Sequence, residues 1–295
     1  MSPSNLLKLI ALGAIWGSSF LFVRIAAHEL APPFLIAFRV GLGALFLAGV
    51  AIVQRRGLDL KAHWKHFLIL GVLNTAVPFT LFAFAARTMP ASLMSILNAT
   101  APIFGAVISA VWLRTAMTWK SGLGLLLGIA GVAILVGFDS GNLTAATGLG
   151  VAAGLAAGFC YGLASAYAKK APSVDGFSNA HGSMWGACVL MFPAAPFFAP
   201  VHAPHLTVML AVVAVGVMCS GIAYVLYYNL INAIGVAPAL SVGFLIPVFG
   251  VLWGALFLHE PVGSQTLIGG AVVLAGTALI TGFNPASLLR RKLPA

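Results

Sequence analysis

The residues best placed to do chemistry in this chain are the few polar ones standing inside long apolar runs. Asn74, Thr75, Pro78 and Phe79 recur at helical spacing, and Thr75 and Phe79 share a face. Ser220 and Tyr224 repeat that pair further along, with Tyr228 one turn beyond. A hydroxyl one turn from a ring, written twice, suits recognition of a small amphipathic zwitterion: ring surface for the apolar part, hydroxyls for the ends. The same residues also serve as glue between packed helices. Trp16, Tyr161 and Trp185 add rings within apolar runs, either as walls of a cavity or as core. His181 is either a group that titrates near physiological pH or a hydrogen-bonded packing residue. Pro102, with Ser95 and Asn98 on the turns before it, and Pro247, with Ser241 before it, each release a helical carbonyl. They read as hinges or carbonyl donors on one view and as fixed kinks on the other.

Bond-making chemistry finds few of its tools here. The acidic residues are Glu29, Asp59, Asp139, Asp175 and Glu260, all at the ends of apolar runs or between them. His259-Glu260-Pro261 is not an HExxH zinc motif, and no second carboxylate joins it. There is no GxxxxGK[ST] loop, so ATP hydrolysis is not expected of the chain alone. Cys160, Cys188 and Cys219 lie apart within apolar segments, without metal-ligand or CxxC spacing. No cofactor, metal or catalytic residue is expected. Arg39 stands about 9 Å into its apolar run by helix rise. It would either draw a carboxylate or snorkel to headgroups, and snorkelling is the expected role.

The elements that must position these residues are membrane spans. A chain that is 61% hydrophobic and 7% charged cannot clothe a water-soluble surface. Its apolar runs are about 20 residues long, enough to cross about 30 Å of hydrocarbon. Ten spans can be drawn, near 6–27, 33–53, 66–86, 90–113, 118–137, 146–169, 177–199, 206–231, 236–258 and 263–283. The net charge of +10 sits in short loops and follows the positive-inside pattern, so nucleic acid is not the expected partner. Twelve of the fifteen Lys and Arg fall on the side of the N-terminus, against Arg24, Arg39 and Arg87 toward the other. Both termini are therefore expected in the cytoplasm, and the first run, with Arg24 at its far end, is expected to stay as a span rather than be cleaved. Gly122-x-Gly124-xxx-Gly128 in the fifth span lacks the preceding strand of a dinucleotide loop and reads as close helix approach. The fifth and tenth spans, taken as lacking polar residues, are expected at the periphery.

The chain is also written twice. Shifted by 145 positions, Pro102, Phe104, Gly105, Gly124, Gly131 and Phe138 fall on Pro247, Phe249, Gly250, Gly269, Gly276 and Phe283. The same shift carries Trp16 to Tyr161, Arg24 to Lys169, Thr75 to Ser220 and Phe79 to Tyr224. Two units follow, 1–140 and 141–295, each with five spans. An odd number means that the second unit enters the membrane from the opposite face, the inverted-repeat design whose site lies near the midplane.

Three stretches carry a family resemblance. They are the opening Trp16-Gly17-Ser18-Ser19-Phe20, the pair Phe38-Arg39, and an ending that runs from Pro247 through Leu258, Glu260-Pro261 and Gln265 to Gly269 and Gly276. In that order within a repeat of five and five, the chain resembles the EamA-type branch of the drug/metabolite transporter superfamily from end to end. The resemblance implies an all-α integral membrane protein of ten transmembrane helices, and an inner-membrane exporter of amino acids or related small metabolites. Exporters of aromatic amino acids are among the members of that branch. Lipid-linked sugar flippases and nucleotide-sugar or drug transporters of the same superfamily are the alternatives. One departure stands out: the acidic residue expected after the fourth span is Thr115, whereas Glu260 is present in the second copy. With no carboxylate at mid-depth, export without an obligatory ion gradient is expected, from a monomer.

Overall fold

The computed structural model describes residues 1–137 and 145–283. Asp139 and the boundary drawn between the two units lie outside the described residues. Among the described residues all regular structure is helical. The long helices are α1 (Pro3–Ala26), α2 (Pro32–Val53), α3 (Leu60–Ala85), α4 (Ala91–Trp112), α5 (Trp119–Gly137), α6 (Ala145–Ala168), α7 (Gly176–Ala194), α8 (Leu206–Ile234), α9 (Pro238–Leu258) and α10 (Ser264–Thr281). Among the described residues nine are long and apolar enough to cross a membrane. The other is α7, less apolar because it carries Ser178, Asn179, His181 and Ser183, the last two of which it buries against neighbouring helices.

The helix starts follow ordinary capping chemistry. Asp59 Oδ1 accepts the Ala62 amide at 3.2 Å, and Asp175 Oδ1 accepts that of Ser178 at 3.2 Å. Prolines stand in the first turns of α1 and α2, where a missing N–H costs nothing. After α4 and after α9 the chain turns through left-handed residues, Arg114 and His259, both at φ 52°. The two lie 145 positions apart, as do the backbone bonds that close these turns, Thr115 N to Ser109 O and Glu260 N to Gly254 O.

Packing follows the same internal correspondence. In α1, Gly13 lies on Leu245 and Gly17 on Phe249 and Gly250 of α9. In α6, Gly158 lies on Phe104 and Gly162 on Phe104 and Gly105 of α4. A Cβ at Gly17 would stand 2.7 Å from that of Phe249, and one at Gly162 would stand 2.8 Å from the Gly105 nitrogen. Gly71 of α3 meets Gly186 of α7, and Gly216 of α8 meets Leu42 of α2. At the crossing of α5 with α10, Gly124 faces Gly276 and Gly131 faces Gly269. Rising numbers on one helix meet falling numbers on the other, so these two helices run antiparallel.

The third helix of each sequence copy holds a π-helical stretch, Gly71–Ala76 in α3 and Ala214–Ile222 in α8. These i→i+5 turns contain Asn74-Thr75 and Cys219-Ser220, and such turns occur often at functional sites. Helix α4 breaks at Ala99-Thr100, so Pro102 opens a second helical segment instead of hinging a continuous one. Pro247 sits buried inside the regular helix Val242–Leu258.

Helices α5 and α10 are the outer pair, yet α10 is not free of polar groups. Thr277 Oγ1 donates to the Ala99 carbonyl at 2.8 Å, in the α4 break, and so ties the outer pair to the core. That corrects the reading of the tenth span as a purely apolar buttress: two threonines, Thr277 and Thr281, face inward.

Candidate functional site

Helices from both sequence copies enclose a cavity of about 730 Å³. That is the size of an ordinary small-molecule site. Trp16 and Phe20 of α1, Asn74 and Phe79 of α3 and Asn98 and Pro102 of α4 form one part of its wall. Tyr161 of α6 and Tyr224 and Tyr227 of α8 form the other. Trp16 and Tyr161, and likewise Phe79 and Tyr224, are the ring pairs that the 145-residue offset relates, and all four line this one space.

The rings are held from behind. Trp16 Nε1 donates to the Cys219 carbonyl at 3.2 Å, within the π-helical stretch of α8. Its indole packs edge-on to Tyr224 at 5.8 Å and tilted to Tyr227 at 5.2 Å. Tyr228 stacks on Tyr224 at 6.4 Å from outside the wall and does not line it. The lining rings of α8 are thus three residues apart, not four, and Tyr227 is the residue that the spacing from Tyr224 to Tyr228 missed.

Several other expected residues stand off the wall. Thr75 is fully buried, and its hydroxyl has no partner among the described residues. Ser220, also fully buried, donates to the Val215 carbonyl at 3.0 Å and accepts from Arg39. Pro78 is buried beside Phe79. His181 accepts the Trp185 Nε1 proton at 2.9 Å, and Trp185 is 36% exposed on the outer surface of α7. Neither lines the cavity: His181 is buried among the helices around α7, and Trp185 faces outward while its indole N–H bonds back to His181. Pro247 is likewise absent from the wall.

Arg39 is the main correction. It does not snorkel: it is 6% exposed and forms part of the cavity wall. Its Nε donates to Ser220 Oγ at 3.1 Å, and its guanidinium carbon lies 3.6 Å from the centroid of the Phe79 ring. Depth counted along the chain gave its height, but not the direction in which it points.

The two ends of the cavity differ. Toward the end where α1 begins, the wall includes Thr115, Ala116, Met117 and Lys169, all exposed. Lys169 Nζ there donates to Ser109 Oγ at 3.2 Å. Toward the other end the Phe20 and Phe82 rings meet edge-on at 5.3 Å, and Arg24 donates to the Ala86 carbonyl. Glu260 then caps the first turn of α4: Oε1 accepts the Ala91 amide at 2.7 Å, and Oε2 accepts the Ser92 amide at 3.1 Å and its hydroxyl at 2.9 Å. The cavity is open at one end and tied shut at the other. Among the described residues no Asp or Glu lines it, and no cluster suited to a metal ion occurs.

Comparison with known proteins finds relatives over nearly the whole chain. An uncharacterized transporter of Bacillus subtilis, YvbV, is 28% identical over 285 residues, covering 93% of this chain and 90% of its own. A probable terminal-alkyne amino-acid exporter of Streptantibioticus cattleyicolor is 26% identical, covering 94% and 92%. A probable amino-acid metabolite efflux pump of Escherichia coli is 23% identical, covering 94% of each chain. A crystal structure matches the fold with a TM-score of 0.66 at 19% identity, over 99% of this chain and 100% of the other. The EamA-like transporter family model matches twice, at residues 4–137 and again at 148–282, and the chain belongs to that family.

Proposed function

We propose that the protein exports amino acids, aromatic and other neutral ones among them, or related small metabolites, as a secondary transporter working by alternating access. The observation that carries this reading is the ring-walled cavity of about 730 Å³ built from corresponding residues of both sequence copies. The antiparallel crossing of the corresponding helices α5 and α10 supports two inverted five-helix repeats, 1–140 and 141–295. Two such bundles can pack in two nearly equivalent ways, each open to one side. The names of the relatives from Streptantibioticus cattleyicolor and Escherichia coli point to amino-acid substrates. The absence of Asp and Glu from the described lining favours export down a gradient without an obligatory ion. The twelve-to-three split of basic residues favours an inner-membrane protein with both termini in the cytoplasm.

The test is counterflow into liposomes holding the purified protein, comparing labelled threonine, methionine, phenylalanine, tyrosine and tryptophan with nucleotide sugars. Amino acids exchange and nucleotide sugars do not, with no proton or sodium gradient imposed. Phe79→Ala and Tyr224→Ala each slow exchange about tenfold, by removing ring surface from the wall. Unchanged rates in both variants would show that the site lies elsewhere, and flux that stops without an imposed gradient would remove the uncoupled mechanism.

A further inference from the structure

A buried cation needs an anion, and the described residues offer Arg39 none. The charge sits on the cavity wall, in a helix suited to crossing the membrane, where a guanidinium without a counter-charge is costly. The titratable groups it feels are the Cys219 thiol and the Tyr161 and Tyr224 phenols, all neutral at pH 7 in their ordinary states. Its one hydrogen bond uses Nε, which leaves the two Nη groups without a protein acceptor among the described residues. Ser220 and the Phe79 ring fix the plane of the guanidinium, so its free edge presents the paired donors that match a carboxylate. The offset that repeats the rings does not repeat this charge: the counterpart of Arg39 is Met184, fully buried. Among the described residues the cavity wall therefore carries one buried cation, beside the Phe79 ring.

We infer that Arg39 is the subsite for the carboxylate of the transported molecule, and that a free ammonium group on that molecule is dispensable. The preferred ligand is a monocarboxylate with an aromatic or bulky apolar body. The acid end takes Arg39, and the body lies against Trp16, Tyr161, Tyr224 and Tyr227. With no Asp or Glu in the described lining, nothing there requires an amine. This inference rests on the transport reading above and narrows its substrate class.

Thermal unfolding of the detergent-purified protein, titrated with phenylalanine, 3-phenylpropionate and phenethylamine, separates the two ends of the ligand, and counterflow in liposomes runs alongside. Phenylalanine and 3-phenylpropionate stabilise the wild type, and phenethylamine does not. Arg39→Lys raises the half-saturating concentration of 3-phenylpropionate about 10-fold and Arg39→Gln about 100-fold, from the loss of charge-assisted hydrogen bonds. Phenethylamine binding as tightly as 3-phenylpropionate overturns the inference, as does an unchanged half-saturation in Arg39→Gln. Should Arg39→Gln not fold, the wild-type ligand preference and Arg39→Lys decide the matter in the same way. Counterflow of amino acids that ignores Arg39 removes this inference and leaves the transport reading. Arg39-dependent binding without counterflow does the reverse.

Discussion

Glu29, in the connection between α1 and α2, accepts the His205 backbone amide at 2.9 Å and meets His205 Nδ1 at 2.7 Å. These contacts, the backbone amide first, hold its carboxyl below the ordinary value of 4.5. A depressed carboxylate stabilises the fold above its unfolded pKa, and that contribution is lost as pH falls through the lower folded value. Glu29→Gln should therefore lower the melting temperature of the purified protein at about pH 7, with the two curves converging below 4.5. A difference that stays constant with pH would show that the ionised form has no part in tying these loops. Residue types also set the limit of what the chain reveals at this scale. Trp16, Asn74, Phe79, Asn98, Tyr161 and Tyr224 could be picked out because a polar or ring residue in an apolar run is conspicuous, and all of them line the cavity. Arg39 and Tyr227 were misjudged or missed because the sequence gives a residue's height in a helix more readily than its azimuth. A neighbour three residues on and one four residues on fit a helical face equally well.

At the level of helices, the glycines did most to make the packing readable. The repeat in sequence places Gly124 and Gly131 on the same rows as Gly269 and Gly276, and those rows meet in the crossing of α5 with α10. A Cβ at Gly124 would stand 2.6 Å from the Gly276 carbonyl oxygen, which is backbone and cannot swing aside. Gly124→Val should destabilise the protein by about 1–3 kcal/mol through overpacking. Gly122→Val, two residues away with nothing within 4 Å, should be neutral. Thermal unfolding of the two variants checks the contrast, and equal melting temperatures would mean that the crossing is looser than the backbone distances say. The π-helical stretches of α3 and α8 were not legible, because no residue type marks an i→i+5 turn. They contain Gly71 and Gly216, each pressed onto a neighbouring helix. Their effect is on direction: the extra residue re-aims the chain between the buried Thr75 or Ser220 and the ring that lines the cavity.

For the molecule as a whole, the internal correspondence reaches the backbone of the two end turns but not their side chains. Arg114-Thr115 and His259-Glu260 share a left-handed residue and the same closing hydrogen bond, yet only the second carries an acid. Glu260 ties α9 to the start of α4 at the shut end of the cavity. The corresponding tie would join residue 115 to the chain near Val236, and Thr115 instead stands exposed at the open mouth. The end that has its carboxylate is closed, and the end that lacks it is open. If these turns bias the balance between the two packings, Thr115→Glu should strengthen closure at the open mouth, and Glu260→Gln should weaken it at the shut end. Both changes move the population the same way. A helix-capping carboxylate contributes about 1 kcal/mol, which shifts a two-state balance about fivefold. A cysteine placed at Ser165, which lines the open mouth, reports the change by its rate of maleimide labelling in membranes when Cys160, Cys188 and Cys219 are replaced. Labelling should slow in either variant, by at most about fivefold, and further when the two are combined, because the turns lie at opposite ends and act independently. Rates that match the unmodified turns in all three proteins would show that the end carboxylate caps a helix and leaves the choice of open side to other contacts.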